Sequence, residues 1–238
     1  MLIGGARLVG VRGERVARFV GRYGYPALAI ADSMLAAFEV RSPIRAVTKS
    51  ALIPALAARL VGRDVDPTTL ALVGAGLGTS WAGDVALLTS GERAFVTGLT
   101  AFLTAHGCYL AGFARSGGAV GLRSQPLLAA PAAGIAALGA ATLLPAAGRL
   151  AGPVAAYLAT ISAMAAAASG TRSRTAIAGA ALYCVSDFLL ALNLFRGPMP
   201  RWVNGLVMAT YTAGQWLILD ALTATDSQSP TGSRTRRS

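Results

Sequence analysis

Charge is scarce along this chain. Lys, Arg, Asp and Glu together make up 13% of its 238 residues, about half the share in a soluble globular domain. What charge there is leans to one sign, with 21 basic residues against 10 acidic and a net charge of +11. Histidine occurs once, at His106, which excludes a multi-histidine zinc site. Cysteine occurs twice, at Cys108 and Cys184, both inside apolar runs. They make no Cys-x-x-Cys pair and no disulfide framework. There is also no HExxH, no P-loop and no G-x-S-x-G elbow. The chain carries no cofactor motif, and no sequence pattern supports a metal site.

Apolar residues fill the space that charge leaves. They amount to 54% of the chain, and its mean hydropathy is +0.57. Long apolar runs with few charges mark bilayer-spanning helices, each needing roughly 20 residues. The abundance of Ala and Gly suits close helix packing in lipid. The expected class is an all-α polytopic membrane protein. The basic residues lie between apolar runs and at both termini, with no aromatic–basic interleaving, so nucleic-acid binding is not expected.

Breaks of charge, Pro and Gly divide the chain into about eight apolar segments. They fall near 25–40, 46–61, 69–89, 94–113, 126–144, 151–168, 175–195 and 202–223. Residues 1–24 form a basic leader whose Arg15, Arg18 and Arg22 share one helical face, with Val16, Phe19 and Val20 on the other. Its arginines interrupt any continuous signal-peptide core. Residues 224–238 read as a polar, disordered basic tail. With the N-terminus in the cytoplasm, fourteen of the 21 basic residues fall on the inner side and seven on the outer. The expected location is thus a plasma membrane, bacterial on composition, with both termini cytoplasmic.

Two of the apolar segments carry a lone aspartate in a similar setting, GDVALL around Asp84 and SDFLLAL around Asp187. The segments after them open alike, Phe95-Val96-Thr97-Gly98-Leu99 and Trp202-Val203-Asn204-Gly205-Leu206. This faint repeat suggests two parallel four-helix halves, with the aspartates facing each other at similar depth. A charge inside a bilayer costs at least roughly 2.5 kcal/mol at a helix centre, so such residues normally face a cavity or a partner. Two carboxylates in one low-dielectric pocket do not both ionise, which supplies an acid and a base together, as hydrolysis requires. Either aspartate alone can also be explained by a hydrogen bond to a neighbouring helix or by a wetted position near the interface, an explanation that weakens for two in matching contexts. His106, with Tyr109 just beyond it, can relay a proton. Tyr211 and Gln215 lie i,i+4 on one face of the last segment. Lys49 is placed to meet a phosphate or to snorkel outward. Asp32, central in the first segment, and Asp220, near the inner end of the last, read more simply as packing and interfacial residues.

These motifs occur in an order that resembles the YhhN-like lysoplasmalogenase family. The resemblance rests on Thr48-Lys49, on Trp81-Ala82-Gly83-Asp84, and on Phe95-x-x-Gly98-Leu99-x-x-Phe102-x-x-x-His106-x-x-Tyr109. It rests also on Gly179-Ala180-x-Leu182-Tyr183-x-x-Ser186-Asp187-x-x-Leu190-Ala191-x-Asn193-x-Phe195 and on Tyr211-x-x-Gly214-Gln215-x-x-Ile218. It covers roughly residues 25–223. The basic leader and Ser50, where the family often has proline, depart from the pattern. The resemblance implies eight transmembrane helices and cleavage of the vinyl ether bond of a lysoplasmalogen-like lipid to a fatty aldehyde and a glycerophospho-alcohol. It implies Asp84 and Asp187 as catalytic residues, with Lys49, His106, Tyr109, Asn193, Tyr211 and Gln215 contacting a lysophospholipid or ether-lipid substrate. No cofactor is implied. Buried carboxylates in parallel repeats also describe a proton-coupled transporter of a small molecule or lipid, the rival reading.

Overall fold

The computed structural model describes residues 12–40 and 42–224. The tail expected over 224–238 lies outside the described residues from 225 onward, as do the first eleven residues of the leader. The described chain is helical throughout, with no strand among the described residues. Its α-helices are α1 (Tyr25–Ala37), α2 (Pro43–Ala57), α3 (Pro67–Ala86), α4 (Glu92–Phe113), α5 (Ala119–Ser124), α6 (Ala130–Ala147), α7 (Ala151–Gly170), α8 (Arg174–Phe195) and α9 (Trp202–Ala224). Each of the eight expected apolar segments falls on one of these helices, α5 being a short connector.

Among the described residues three stretches are long and apolar enough to cross a bilayer: Glu92–Ser124, Pro126–Gly170 and Arg174–Phe195. The chain is an all-α integral membrane protein. Helix α2, with 15 residues, falls short of the roughly 20 that a crossing needs. Large apolar side chains such as Ile30, Met34, Leu138, Val185 and Leu194 are exposed on the outside of the bundle, the reverse of a soluble protein.

The described part of the leader differs from a separate element. Residues 12–19 are helical and continue through a wider turn at Val20–Gly24 directly into α1. Gly21 is buried against α2, and a Cβ there would lie 2.6 Å from Arg59 Cγ. Arg59 and Arg63 both bond Asp220 at 2.9 Å, and the Arg59 guanidinium lies 4.0 Å over the Trp216 ring. Asp220 therefore ties α9 to the end of α2, a stronger role than an interfacial position alone.

Short connections make consecutive long helices run antiparallel. Polar caps stop them locally. Asp66 accepts the Thr69 N–H at 2.9 Å to start α3, and Ser173 accepts the Ala176 N–H at 3.3 Å to start α8. The Thr69 amide holds the Asp66 carboxyl below the usual carboxylate range. Helix α9 is the central element, with 14 of its 23 residues buried. Its approach to α8 is backbone against backbone: a Cβ on Gly179 would lie 2.9 Å from Ile218 N, and one on Gly214 would lie 3.0 Å from Gly179 O. Only glycine permits that spacing, and it brings Tyr183, Tyr211 and Gln215 into one layer.

Candidate active site

Asp84 lies near the end of α3 and is 2% exposed. A carboxylate so placed must be paired. Its Oδ1 stands 3.3 Å from Lys49 Nζ on α2, and its Oδ2 accepts the Tyr211 hydroxyl of α9 at 2.7 Å. Lys49 is itself buried, so it does not snorkel. The site is a desolvated ion pair with a phenol donor.

From Tyr211 a polar layer crosses the core. Gln215, one turn along α9, donates to the Tyr211 and Tyr183 hydroxyl oxygens at 3.3 Å each. Its own Oε1 accepts the Tyr109 hydroxyl at 2.8 Å. Gly76 of α3 gives Tyr109 its room, since a Cβ there would lie 2.3 Å from the ring. The rings of Tyr183 and Tyr211 meet edge to face with centroids 5.3 Å apart.

Asp187 stands on the far side of this layer, on α8. Its Oδ2 accepts the Tyr157 hydroxyl of α7 at 2.5 Å. His106 is fully buried, with Nε2 3.6 Å from the same oxygen, beyond hydrogen-bond reach. The imidazole packs edge-on against the Tyr157 and Tyr183 rings at 5.2 and 4.6 Å. Unlike Asp84, Asp187 borders an apolar cavity between α4, α6, α7 and α8. The rest of the lining is almost wholly apolar, with Leu87 of α3, Phe95, Leu99 and Phe102 of α4, Leu143 of α6, Val154 and Ile161 of α7, and Ala191 and Phe195 of α8. On α8 the lining runs from Cys184 to Phe195, about 16 Å at 1.5 Å per residue.

The fold thus gathers Lys49, Asp84, Tyr109, Tyr211 and Gln215 into one polar layer and sets His106 and Asp187 against its edge. Among the described residues no hydrogen bond joins the two aspartates to each other. Asp84 lies level with Phe102, whose ring covers Gly83, while Asp187 lies level with His106, one turn further along α4. Asn193 stands apart, near the end of α8. Its side chain accepts the Met199 N–H at 2.8 Å and donates to Asn204 at 3.3 Å, which shapes the loop before α9. Glycines following the two repeated segment openings also differ in partner: Gly98 packs on Leu87, but Gly205 packs on Ala37 of α1.

Tyr157 was not among the sequence candidates. Its only signal was being the single polar aromatic in the alanine-rich run VAAYLAT. Tyr183, quoted above only as part of a motif, belongs to the same layer. Among the described residues no group of three or more His, Cys, Asp or Glu side chains is placed to hold a metal ion. The family was legible in the motif order, and it is matched here by its own model. No solved structure matches the chain. The model of the YhhN family matches residues 44–222, three quarters of the sequence, and the chain belongs to that family.

Proposed function

We propose that the protein is a membrane-embedded ether hydrolase that cleaves the vinyl ether bond of a lysoplasmalogen-like lipid, releasing a fatty aldehyde and a glycerophospho-alcohol. The observation that carries this reading is Asp187, a carboxyl group set with its Tyr157 partner in the wall of an apolar cavity. The apolar lining suits hydrocarbon, and the bond to be cleaved then lies beside Asp187, the one carboxyl group among the described residues that line the cavity.

A vinyl ether breaks when its β-carbon is protonated. The C=C electron pair takes the proton, and the oxygen lone pair stabilises the adjacent carbon as an oxocarbenium ion. Water adds to that carbon and loses a proton, giving a hemiacetal. The hemiacetal then expels the glycerol oxygen, which leaves as an alcohol, and the former ether carbon becomes the aldehyde. The chemistry needs one neutral carboxylic acid and one carboxylate, as glycoside hydrolysis does.

The two aspartates divide those roles by their surroundings. Asp187 has a phenol and an imidazole beside it and hydrocarbon in front, the setting of a neutral proton donor. Asp84 has an ammonium and a phenol donor, the setting of a carboxylate that stays charged and steadies positive charge from its side of the layer. Tyr211, Gln215 and Tyr183 form a hydrogen-bonded layer beside Asp84, and Asp187, a carboxylate once its proton is given, takes the proton that the water loses. Tyr157 and His106 position Asp187. Lys49 is engaged by Asp84 and serves the phosphate with its remaining protons. The resting place is a plasma membrane with both termini in the cytoplasm, and the substrate comes from the bilayer.

Purified protein in nanodiscs tests the proposal against a vinyl ether lysolipid and an ester lysophospholipid of the same headgroup, with and without chelator. Aldehyde release from the vinyl ether alone supports it. Fatty acid release from the ester, or uptake of intact lipid into sealed vesicles without aldehyde, overturns it.

A further inference from the structure

A second buried polar cluster lies on the Lys49 side of Asp84, and the acid–base chemistry leaves most of it unused. Arg45 and Lys49 lie four residues apart on one face of α2, and Ser42 is the residue that precedes the helix. Asp32 of α1 faces Arg45 and is 0% exposed. Its Oδ1 accepts the Thr48 hydroxyl at 2.8 Å, with Arg45 Nε at 4.0 Å, too far for a hydrogen bond. Its Oδ2 is buried without a partner, and so are Arg45 Nε and the Ser42 hydroxyl.

Buried polar atoms nearly always have partners. Here an acceptor on Asp32 and a donor on Arg45 are left over side by side without satisfying each other, and the Ser42 hydroxyl at the start of the same helix is left over too. The cluster is also balanced in charge, with Arg45 and Lys49 against Asp32 and Asp84. A simple anion or cation would upset that balance, and a zwitterion would not. Arg45 keeps part of its side chain exposed, 30%, so the cluster meets the surface at this residue.

We infer that Asp32, Ser42 and Arg45 form a headgroup subsite for a zwitterionic phospho-amine whose nitrogen carries N–H groups. This rests on the hydrolase reading and names the substrate class for it. The phosphate oxygens take the Arg45 guanidinium, the Ser42 hydroxyl and the free protons of Lys49, the donor set that phosphate favours. The ammonium donates to Asp32 Oδ2. The glycerol then lies on the Lys49 side, with the alkenyl chain directed to the apolar cavity at Asp187. A quaternary ammonium has no proton to give Asp32 and is ordinarily held by aromatic cages. The cluster offers hydrogen-bonding groups instead, so each N-methyl group removes a donor it is built to receive.

The test is a headgroup series on one alkenyl chain: ethanolamine, N-methyl, N,N-dimethyl and trimethyl (choline) lysoplasmalogens, assayed on wild-type protein in nanodiscs. The expected result is a stepwise fall in kcat/KM, about tenfold from primary to quaternary amine, the worth of one charge-assisted hydrogen bond. Asp32→Asn brings that ratio close to one. Arg45→Gln lowers all four substrates together and keeps the ratio. A flat or reversed wild-type series overturns the inference, as does an unchanged ratio in Asp32→Asn; if that variant does not fold, the wild-type series decides. Release of aldehyde from none of the four refutes the hydrolase reading instead. The subsite is then read from binding of uncleavable ester lysophospholipids with the same four headgroups, where the same order supports it and equal affinities overturn it.

Discussion

The Lys49–Asp84 pair sets the sharpest quantitative test of the site's electrostatics. At 3.3 Å the two charges attract by about 5 kcal/mol for an effective dielectric constant near 20. Both are largely out of water, so much of that attraction offsets their desolvation. The net worth of the pair is therefore modest, while the cost of breaking it from one side is large. Lys49→Met leaves a buried carboxylate with only the Tyr211 hydroxyl, and Asp84→Asn leaves a buried ammonium with no counter-charge. Each single variant is expected to lose about 3–5 kcal/mol of stability, a large share of the 5–15 kcal/mol typical of a fold. The double variant removes both charges and should lose far less than the sum, with a coupling of about 2–3 kcal/mol. Equilibrium unfolding of the detergent-solubilised protein measures all four corners of the cycle. Additive losses, or single losses below about 1 kcal/mol, would refute the claim that the pair is desolvated and mutually dependent.

Three further outcomes follow from named contacts. Tyr157→Phe deletes the hydrogen bond to Asp187 and leaves the ring in place, so kcat for aldehyde release should fall about 10- to 100-fold, with KM nearly unchanged; equal loss in KM would make Tyr157 a binding residue. Ala191→Trp fills the apolar cavity beside Asp187, so long-chain substrates should lose more kcat/KM than short-chain ones in a paired assay. Asp66 is depressed in the folded state, so its cap strengthens the fold above the ordinary carboxylate range, near pH 3.9, and that benefit is lost as pH falls through the lower folded value. Asp66→Ala should thus lower Tm at neutral pH and converge with wild type in acid.

The helices were legible in the sequence because a bilayer demands long apolar runs, and charge or Pro/Gly breaks mark their ends. Asp84 and Asp187 were legible for the same reason, since a lone carboxylate in such a run stands out. What pairs with each was not. Tyr157 reaches Asp187 across 30 residues, and Tyr211 reaches Asp84 across 127. No local period encodes contacts of that range. Matching sequence contexts suggested that the aspartates face one another. The structure instead gives each its own partners, one turn apart, with a tyrosine–glutamine layer between. Asp32 read as a packing residue, and only the unpartnered oxygen beside Arg45 and Thr48 shows it as more. The leader read as a basic segment with one arginine face, which does not say how it joins the bundle. Gly21, buried under Arg59, is what fastens residues 12–24 to the bundle as an extension of α1.

The central claim is that Asp187 protonates the β-carbon of a vinyl ether. Hydrolysis in heavy water by the purified protein tests it most directly, with the released aldehyde read by mass spectrometry. The account predicts one deuterium on the carbon next to the carbonyl for the wild type, and no aldehyde from Asp187→Asn that is folded in the membrane. Undiminished release by Asp187→Asn, or aldehyde without deuterium at that carbon, would contradict it.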